Sequence, residues 1–218
     1  MTTSSNTEAH KLGSDGDPIR QGLFACQSTK ELLQHVKLDG KPGPFQTIAD
    51  AAELAGEGKK EEAISCLRSV LSLPKLETRA QLWVWSGLRE LGEQPDPKSA
   101  WEILGVVVEV PMQGGYDTLA AFQDGTARYL NYSGRAIFWD APDATIKGLC
   151  QALLASAVPA GSRAVPRASV SLPKSGMQAT LLTRSGMYVI PNPPQLVVNA
   201  ATSLMTELIR RAKEAQGK

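Results

Sequence analysis

Apolar and polar residues follow a helical spacing in the first half of the chain and a strand-like spacing in the second half. Apolar residues recur three and four positions apart over residues 45–74, with the polar turn "GEGKK" between two such stretches. This spacing is typical of amphipathic helices and predicts a helical hairpin closed by Pro74. A shorter stretch, "TKELLQHVKL" at residues 29–38, is also predicted to be a helix.

A further helix is predicted for "QLWVWSGLRE", which holds two of the four tryptophans. At about 100° per residue, Trp83 lies on a wide apolar face and is expected in the core. Trp85 shares a second, mixed face with Leu82 and Arg89. Two interpretations of that second face stay open. It packs permanently under another layer, or it is an exposed binding surface joined by Trp101 from the following helix.

The spacing changes after residue 105. "GVVVEV" is typical of a buried strand, and "YDTLAAF", "TARYLNY" and "RAIFW" follow it with short polar turns between them. Asp124 and Gly125 separate two alternating runs, which predicts a type I′ hairpin turn with positive φ at both residues. Residues 105–139 are therefore predicted to form an antiparallel meander.

The remaining chain predicts a helix, further strands and a closing helix. "DAPDATIKGLCQALLASAV" begins with capping aspartates and carries a helical apolar stripe, and "QLVVNAATSLMTELIRRAKEAQGK" forms the last helix. "SVSLP", "MQATLLT" and "MYVIP" between them are strand-like. The predicted fold class is α+β, with N-terminal helical hairpins packed on an antiparallel β-meander with two covering helices, and the sheet is expected to be covered on one face.

Three regions are predicted along the chain. Residues 1–20 are rich in Ser, Thr, Gly and Asp and poor in apolar residues, which predicts a disordered tail. Residues 21–104 form a helical region, and residues 105–218 form an α+β domain. One continuous globule made of both is the alternative.

The helical region resembles the tetratricopeptide repeat. "ELAGEGKKEEAISCL" at residues 53–67 aligns without a gap on "ELGEQPDPKSAWEIL" at residues 90–104, as two helix–turn–helix units. Such repeats stack helices into protein-binding surfaces, so the resemblance over residues 46–104 implies a protein partner. An ordinary helical bundle is the alternative.

Two further resemblances concern the rest of the chain. The order of elements is similar to that of profilin-like domains and of the small α+β chaperones of bacterial secretion systems, which bears on topology alone. "WVWSGLRELG", "LGVVVEV" and "DTLAAFQDGTARYLNYSG", followed by Trp139 and Asp140, look like a bacterial family of uncharacterised proteins over residues 79–140. This second resemblance implies no activity.

Composition limits the partners and the compartment. The formal net charge of +1 favours neither nucleic acid nor anionic lipid as a partner. No run approaches the roughly 18 apolar residues of a membrane span, and the first residues lack the apolar core of a signal peptide. The sequence therefore predicts a cytoplasmic protein without a membrane partner, and leaves its oligomeric state open.

Residues with catalytic or metal-binding chemistry are few and scattered. The histidines are His10 and His35, and no Gly-x-Ser-x-Gly nucleophile motif is present. Cys26, Cys66 and Cys150 lie far apart, and no Cys-x-x-Cys pair occurs. The sequence therefore predicts no catalytic residue, no metal and no cofactor.

Three classes of function follow. The first is a non-enzymatic bacterial protein-interaction module, such as a scaffold, a secretion chaperone or an immunity-type protein. The alternatives are a sensor of a small ligand or nucleotide in a pocket between sheet and helix, and an enzyme that uses carboxylates or a cysteine. Because Trp and Arg anchor interfaces most often, two surfaces are predicted. Their residues are Leu82, Trp85, Arg89 and Trp101 for the first, and Arg128 and Tyr132, on the open side of the meander, for the second.

Overall fold

A computed structural model describes residues 17–25, 43–173 and 175–216. The helices are α1 (Pro18–Gly22), α2 (Pro44–Gly56), α3 (Lys60–Leu71), α4 (Thr78–Glu90), α5 (Ala144–Ala157) and α6 (Gln195–Gln216). The strands are β1 (Ile103–Met112), β2 (Gly115–Phe122), β3 (Ala127–Leu130), β4 (Ala136–Trp139), β5 (Val165–Pro166), β6 (Gln178–Thr183) and β7 (Gly186–Pro191). A 3₁₀ helix, Val158–Arg163, follows α5. The predicted helix at residues 29–38 lies outside the described residues.

The strands form one antiparallel sheet in the order β4-β3-β2-β1-β6-β7-β5. Strand β1 is central and pairs with β2 on one side and β6 on the other. The predicted meander is confirmed as β1 to β4, and the α+β fold class is confirmed. No helix within the described ranges combines the length and the apolar character needed to cross a bilayer.

The N-terminal helices pack on one face of the sheet. Apolar side chains of α2, α3 and α4 form a common core with Val107, Phe122 and Leu182 of the strands. Trp83 of α4 is 3% exposed in this core, so its predicted burial is confirmed. The helical region and the sheet thus share one hydrophobic core.

Helices α5 and α6 pack on the opposite face. Ile146 and Leu153 of α5 and Leu204 of α6 lie in a second core with Val106 and Val108 of β1. The prediction that helices cover only one face of the sheet is therefore wrong. The physical reason is that residues 104–109 of β1 are all buried, so side chains pointing to either face need a helical layer above them.

Two predicted elements differ from the structure. The second repeat-like unit has no second helix, because residues 98–101 form a turn and β1 begins at Ile103. "SVSLP" is not a strand, and β5 pairs with β7 just before it. In that segment the carbonyl groups of Ser169 and Ser171 accept hydrogen bonds from the Arg167 side chain at 2.8 and 2.6 Å, so the backbone curls around a guanidinium instead of extending.

The hairpin turn between β2 and β3 also caps a distant helix. Gly125 has a φ of +92°, whereas Asp124 is not among the residues with positive φ, so the turn is not the predicted type I′. The Asp124 carboxylate accepts hydrogen bonds from the backbone N–H groups of Thr78 and Thr126 at 2.8 and 2.9 Å. It thereby accepts a hydrogen bond from an N–H group in the first turn of α4, which has no partner within the helix. The N-cap residue of α4, Glu77, makes no capping hydrogen bond with its own side chain.

Residues 17–20 are part of the fold, although the predicted disordered tail includes them. Asp17 caps α1 by accepting a hydrogen bond from the N–H of Ile19 at 2.9 Å, and Pro18 occupies the first turn. Arg20 is fully buried and forms an ion pair with Glu109. This buried charge holds residues 17–25 on the sheet, while residues 1–16 lie outside the described ranges.

Glu109 of β1 is the centre of a buried ionic cluster. It has no exposed surface, and its Oε1 accepts a hydrogen bond from Arg20. Its Oε2 accepts hydrogen bonds from Arg167 at 2.9 Å and from Gln178 at 2.6 Å. Both guanidinium groups also lie against the ring of Phe24, at 5.4 and 4.8 Å from its centroid. The carboxylate is therefore compensated on every side, as a buried charge must be.

Replacing Trp83 by Ala should lower the free energy of unfolding by about 3–5 kcal/mol, because it leaves a cavity in the core between α4 and the sheet. Urea unfolding measures the loss. Trp101→Ala is the matched control, since Trp101 is 58% exposed and its truncation should cost less than about 1 kcal/mol. A Trp83 variant as stable as the Trp101 variant would contradict the assignment of the core.

Glu109→Gln should destabilise the fold by about 3–5 kcal/mol, because it leaves two buried guanidinium groups without their counter-charge. The matched control is Glu57→Gln, which removes only an exposed ion pair with Lys59 and should change stability by less than about 0.5 kcal/mol. Urea unfolding at neutral pH compares the two. Equal free energies of unfolding for the two variants would show that the stability of the cluster does not depend on the charge of Glu109.

Candidate functional site

Residues 98–102 cross one end of the sheet between α4 and β1. The β6–β7 turn fixes this segment, because the backbone N–H and the hydroxyl of Ser185 both donate to the carbonyl of Ala100, at 3.1 and 2.9 Å. Trp101 then lies on the ring of Tyr188, with ring centroids 4.3 Å apart and the planes tilted by 36°. Trp101 stays 58% exposed, so this contact positions the indole without burying it.

Trp101 borders a groove of about 630 Å³ between the sheet and α5. We call it the Trp101 groove. Its strand side is formed by Ile103 and Leu181, and its helix side by Leu154 of α5 and Val158 of the 3₁₀ helix. Val158 lies on the side of the groove opposite the strands and is 62% exposed. The groove therefore has an aliphatic lining and two exposed apolar residues at its mouth.

Three polar side chains that line the groove, Glu102, Gln123 and Thr183, are hydrogen-bonded within the fold. The Glu102 carboxylate accepts a hydrogen bond from Gln123 at 3.0 Å and pairs with Arg184 at 2.7 Å. The hydroxyl of Thr183 donates to the carbonyl of Gly186 at 2.9 Å. The surface that remains for an occupant is mainly hydrocarbon, with Gln151 of α5 as a further polar residue in the lining.

A second cavity, of about 430 Å³, lies on the other side of the β6–β7 turn, against the N-terminal helices. Trp85 lines it together with Arg184. The Arg184 carbonyl accepts a hydrogen bond from Arg89 at 2.5 Å, while its side chain pairs with Glu102. Arg184 thus separates Trp85 from Trp101, and the two tryptophans do not form the single surface that the sequence predicts.

The first predicted surface is largely used inside the fold. Leu82 is fully buried, so it cannot contact a partner while the chain is folded. Trp85 is half-buried and packs against the core of the N-terminal face. Trp101 lies in a turn before β1 and not in a helix. The reason is that α4 lies between the sheet and α3, so more than one of its faces is covered.

The second predicted surface is not formed either. Arg128 is buried, donates to the carbonyl groups of Ala127 and Trp139 at 3.0 and 3.3 Å, and pairs with Asp140. Tyr132 lies in the turn after β3, where its N–H donates to the Asp117 carboxylate at 2.9 Å. The two side chains therefore have separate structural roles.

Buried titratable groups near the sheet are held in their protonated forms. Burial, together with a hydrogen bond of 2.6 Å to the Asp117 carboxylate, raises the pKa of Tyr129 to about 12. Burial raises the pKa of the Cys150 thiol to about 12, and it also raises the pKa of Cys66. These two thiols are therefore poor nucleophiles at neutral pH, because the thiolate is the reactive form. Cys26 lies outside the described residues.

No three His, Cys, Asp or Glu side chains converge as metal ligands within residues 17–25, 43–173 and 175–216. Of the residues that line the groove, only Trp101 is predicted from the sequence as a binding residue. Ile103 and Leu181 look like ordinary strand residues, and Val158 carries no signal beyond its place before Pro159. These residues come together only when the chain folds.

Comparisons of the chain with protein-family models, with curated proteins and with solved structures give no match.

Tyr129 should titrate near pH 12 in the folded chain, well above the ordinary pKa of a tyrosine. Its pKa rises from 10.0 to about 12 on folding, so the stability that its retained proton contributes is complete below about pH 10 and is lost as the pH rises through 12. Ultraviolet absorbance of tyrosinate measures this, and Tyr129→Phe should remove the ionisation near pH 12. Tyr188→Phe is the control, and a late step that survives in the Tyr129 variant would contradict the assignment.

Proposed function

We propose that this protein is a non-enzymatic interaction module that binds an apolar segment of another protein in the Trp101 groove. The observation that carries the proposal is Trp101 itself, a large aromatic residue that is 58% exposed beside an aliphatic groove. Tryptophan is among the residues that contribute most to protein interfaces, because it offers a large amphipathic surface for little loss of side-chain entropy.

The rigidity of the groove supports binding. Trp101 is held by Tyr188, its segment is tied to Ser185, and the neighbouring Glu102 is fixed by two partners. Side chains that are already ordered lose little freedom when a partner binds, so more of the contact energy is available for affinity.

The chemistry of the lining indicates the chemistry of the partner. Ile103 and the exposed Val158 offer hydrocarbon above a floor formed by the buried Leu154 and Leu181, while Glu102 is neutralised by Arg184. An apolar side chain can replace water there without leaving a charged group unpaired. We therefore expect a peptide segment with one or two large apolar residues as anchors, and polar residues on either side of them.

The volume of the groove supports a second candidate function, a sensor of a small apolar ligand. Its 630 Å³ lies within the range of roughly 300–1,000 Å³ that small-molecule sites occupy. Native mass spectrometry of the protein purified from its own cells distinguishes this candidate. A bound small molecule that Trp101→Ala loses would favour the sensor over the interaction module.

A displayed library of random 12-residue peptides tests the proposed function directly. Immobilised wild-type protein should enrich peptides that carry large apolar residues, and Trp101→Ala should weaken the enriched peptides at least tenfold, about 1.4 kcal/mol in binding free energy. Leu196→Ala is the matched control, since Leu196 is 61% exposed on α6 and does not line the groove. Peptides that bind the Trp101 variant as well as the wild type, or no enrichment at all, would contradict the proposal.

A further inference from the structure

The cavity beside Trp85 combines an apolar lining with positive charge. We call it the Trp85 cavity. Leu71, Leu76 and Trp85 line it and pack against the core of the N-terminal helices, and Leu73 joins them with 44% of its surface exposed. Its volume of about 430 Å³ lies in the lower part of the range of roughly 300–1,000 Å³ that small-molecule sites occupy. It shares no lining residue with the Trp101 groove.

The charged side chains in the lining, Lys75 and Arg184, are both cations. Arg184 is partly neutralised, because its Nη2 pairs with Glu102 at 2.7 Å, but its Nε is buried and has no hydrogen-bond partner within the described ranges. Lys75 is exposed, and its ammonium group has no ion-pair partner in the described part of the chain. The cavity therefore keeps uncompensated positive charge and unused N–H donors, which suit an anionic group.

The backbone of Lys75 adopts an uncommon conformation. Its φ is +58°, in the left-handed region that residues with a side chain rarely occupy, and glycine is the residue that usually stands there. Strain of this kind is found most often at functional sites. Here the strained residue is a lysine that lines the cavity, so the strain accompanies a cation that is available to a ligand.

The lining favours a hydrocarbon chain over a peptide. A bound peptide brings N–H and C=O groups, and each of them costs free energy if it is buried without a partner. The neutral polar side chain of the lining is Gln81, whose amide N–H already donates to the carbonyl of Leu76 at 3.1 Å. A chain of methylene groups needs no such partners and can cover the indole of Trp85 and the leucines beside it.

We propose that the Trp85 cavity binds a medium-chain fatty acid, a hydrocarbon chain that ends in a carboxylate. The chain lies against Trp85 and the neighbouring leucines, and the carboxylate binds to the Lys75 ammonium and the Arg184 guanidinium. Arg184 can hold Glu102 and the ligand together, because a guanidinium has five N–H donors in a planar fork. The site is separate from the Trp101 groove, so Trp101→Ala should bind the ligand as the wild type does.

Isothermal titration calorimetry of the full chain tests the proposal. Decanoate should bind with a dissociation constant below about 1 mM and about sixteenfold more tightly than octanoate, because two further methylene groups are buried. Octanoate should bind at least about tenfold more tightly than the neutral octanol or the cationic octylamine. Equal binding of the acid, the alcohol and the amine, or no binding of decanoate, would overturn the proposal.

A peptide C-terminus is the other source of a carboxylate beside an apolar group, and N-acetyl-leucine represents it. It should bind at least about tenfold more weakly than decanoate, because its amide finds no partner in the cavity. The reverse order would assign the cavity to peptide C-termini and overturn the fatty acid as its ligand.

Lys75→Met removes the ammonium group and keeps a side chain of similar length. It should weaken decanoate binding at least about tenfold and abolish the preference for octanoate over octanol. Lys98→Met is the matched control, since Lys98 is exposed outside the cavity, and it should leave the affinity within about twofold. A Lys75 variant that binds decanoate as the wild type does would contradict the site.

Lys75→Gly separates the strain from the contact. Glycine adopts a φ of +58° without penalty, so the melting temperature should stay the same or rise while the affinity for decanoate falls. Leu73→Asp is a further arm, because it places a second carboxylate in the lining and should also weaken decanoate, whereas Leu196→Asp outside the cavity should not. Circular dichroism verifies folding, and the Leu73 arm decides if a Lys75 variant does not fold. Unchanged affinity in the Lys75→Gly or the Leu73→Asp variant would overturn the proposal.

Discussion

The carboxylate of Glu109, buried in the central strand, is the constraint on which the rest of the fold depends. A charge at that depth costs several kcal/mol unless it is paired, and neither neighbouring strand supplies a cation. The cations come from both sides of β1 in the sequence, because Arg20 belongs to α1 and Arg167 to the segment before β6. Arg20 also donates to the carbonyl of Val170 at 2.6 Å, so residues 150 positions apart are held together over the same strand. The cluster thereby fastens α1 and a segment without regular structure to the middle of the sheet.

Coverage of both faces of the sheet explains where a binding surface can exist. Apolar strand residues are hidden under α2 to α4 on one side and under α5 and α6 on the other, so the ends and edges of the sheet are what remains accessible. The Trp101 groove lies at one end, where residues 98–102 enter β1 beside α5. Strand β4 lies at a lateral edge.

The sequence predicted those parts of the structure that local spacing determines. Strands β1 to β4 and helices α5 and α6 each carry a clear period, and Asp143 caps α5 as expected, accepting hydrogen bonds from Thr145 and Ile146. The burial of Leu82 was not predictable, because helical spacing defines the faces of a helix but not how many of them neighbours cover. Trp101 was identified by residue type alone, whereas its groove depends on residues from β1, β6 and α5 that meet only in three dimensions. Strand β5, with two residues, is too short to leave a pattern.

The hydrogen bond from the N–H of Thr78 to the Asp124 carboxylate joins residues that are made at different times during synthesis. Helix α4 therefore cannot receive this cap until the β2–β3 turn has been made. Helix α4 leaves the ribosome first, and its capping carboxylate follows 46 residues later. In the ionic cluster, Arg167 follows Glu109 by 58 residues. At about 5–20 residues per second, the N-terminal helices wait on the order of ten seconds for the strands that cover them. During that time the apolar side of α4 lacks the strand residues that cover it in the complete fold.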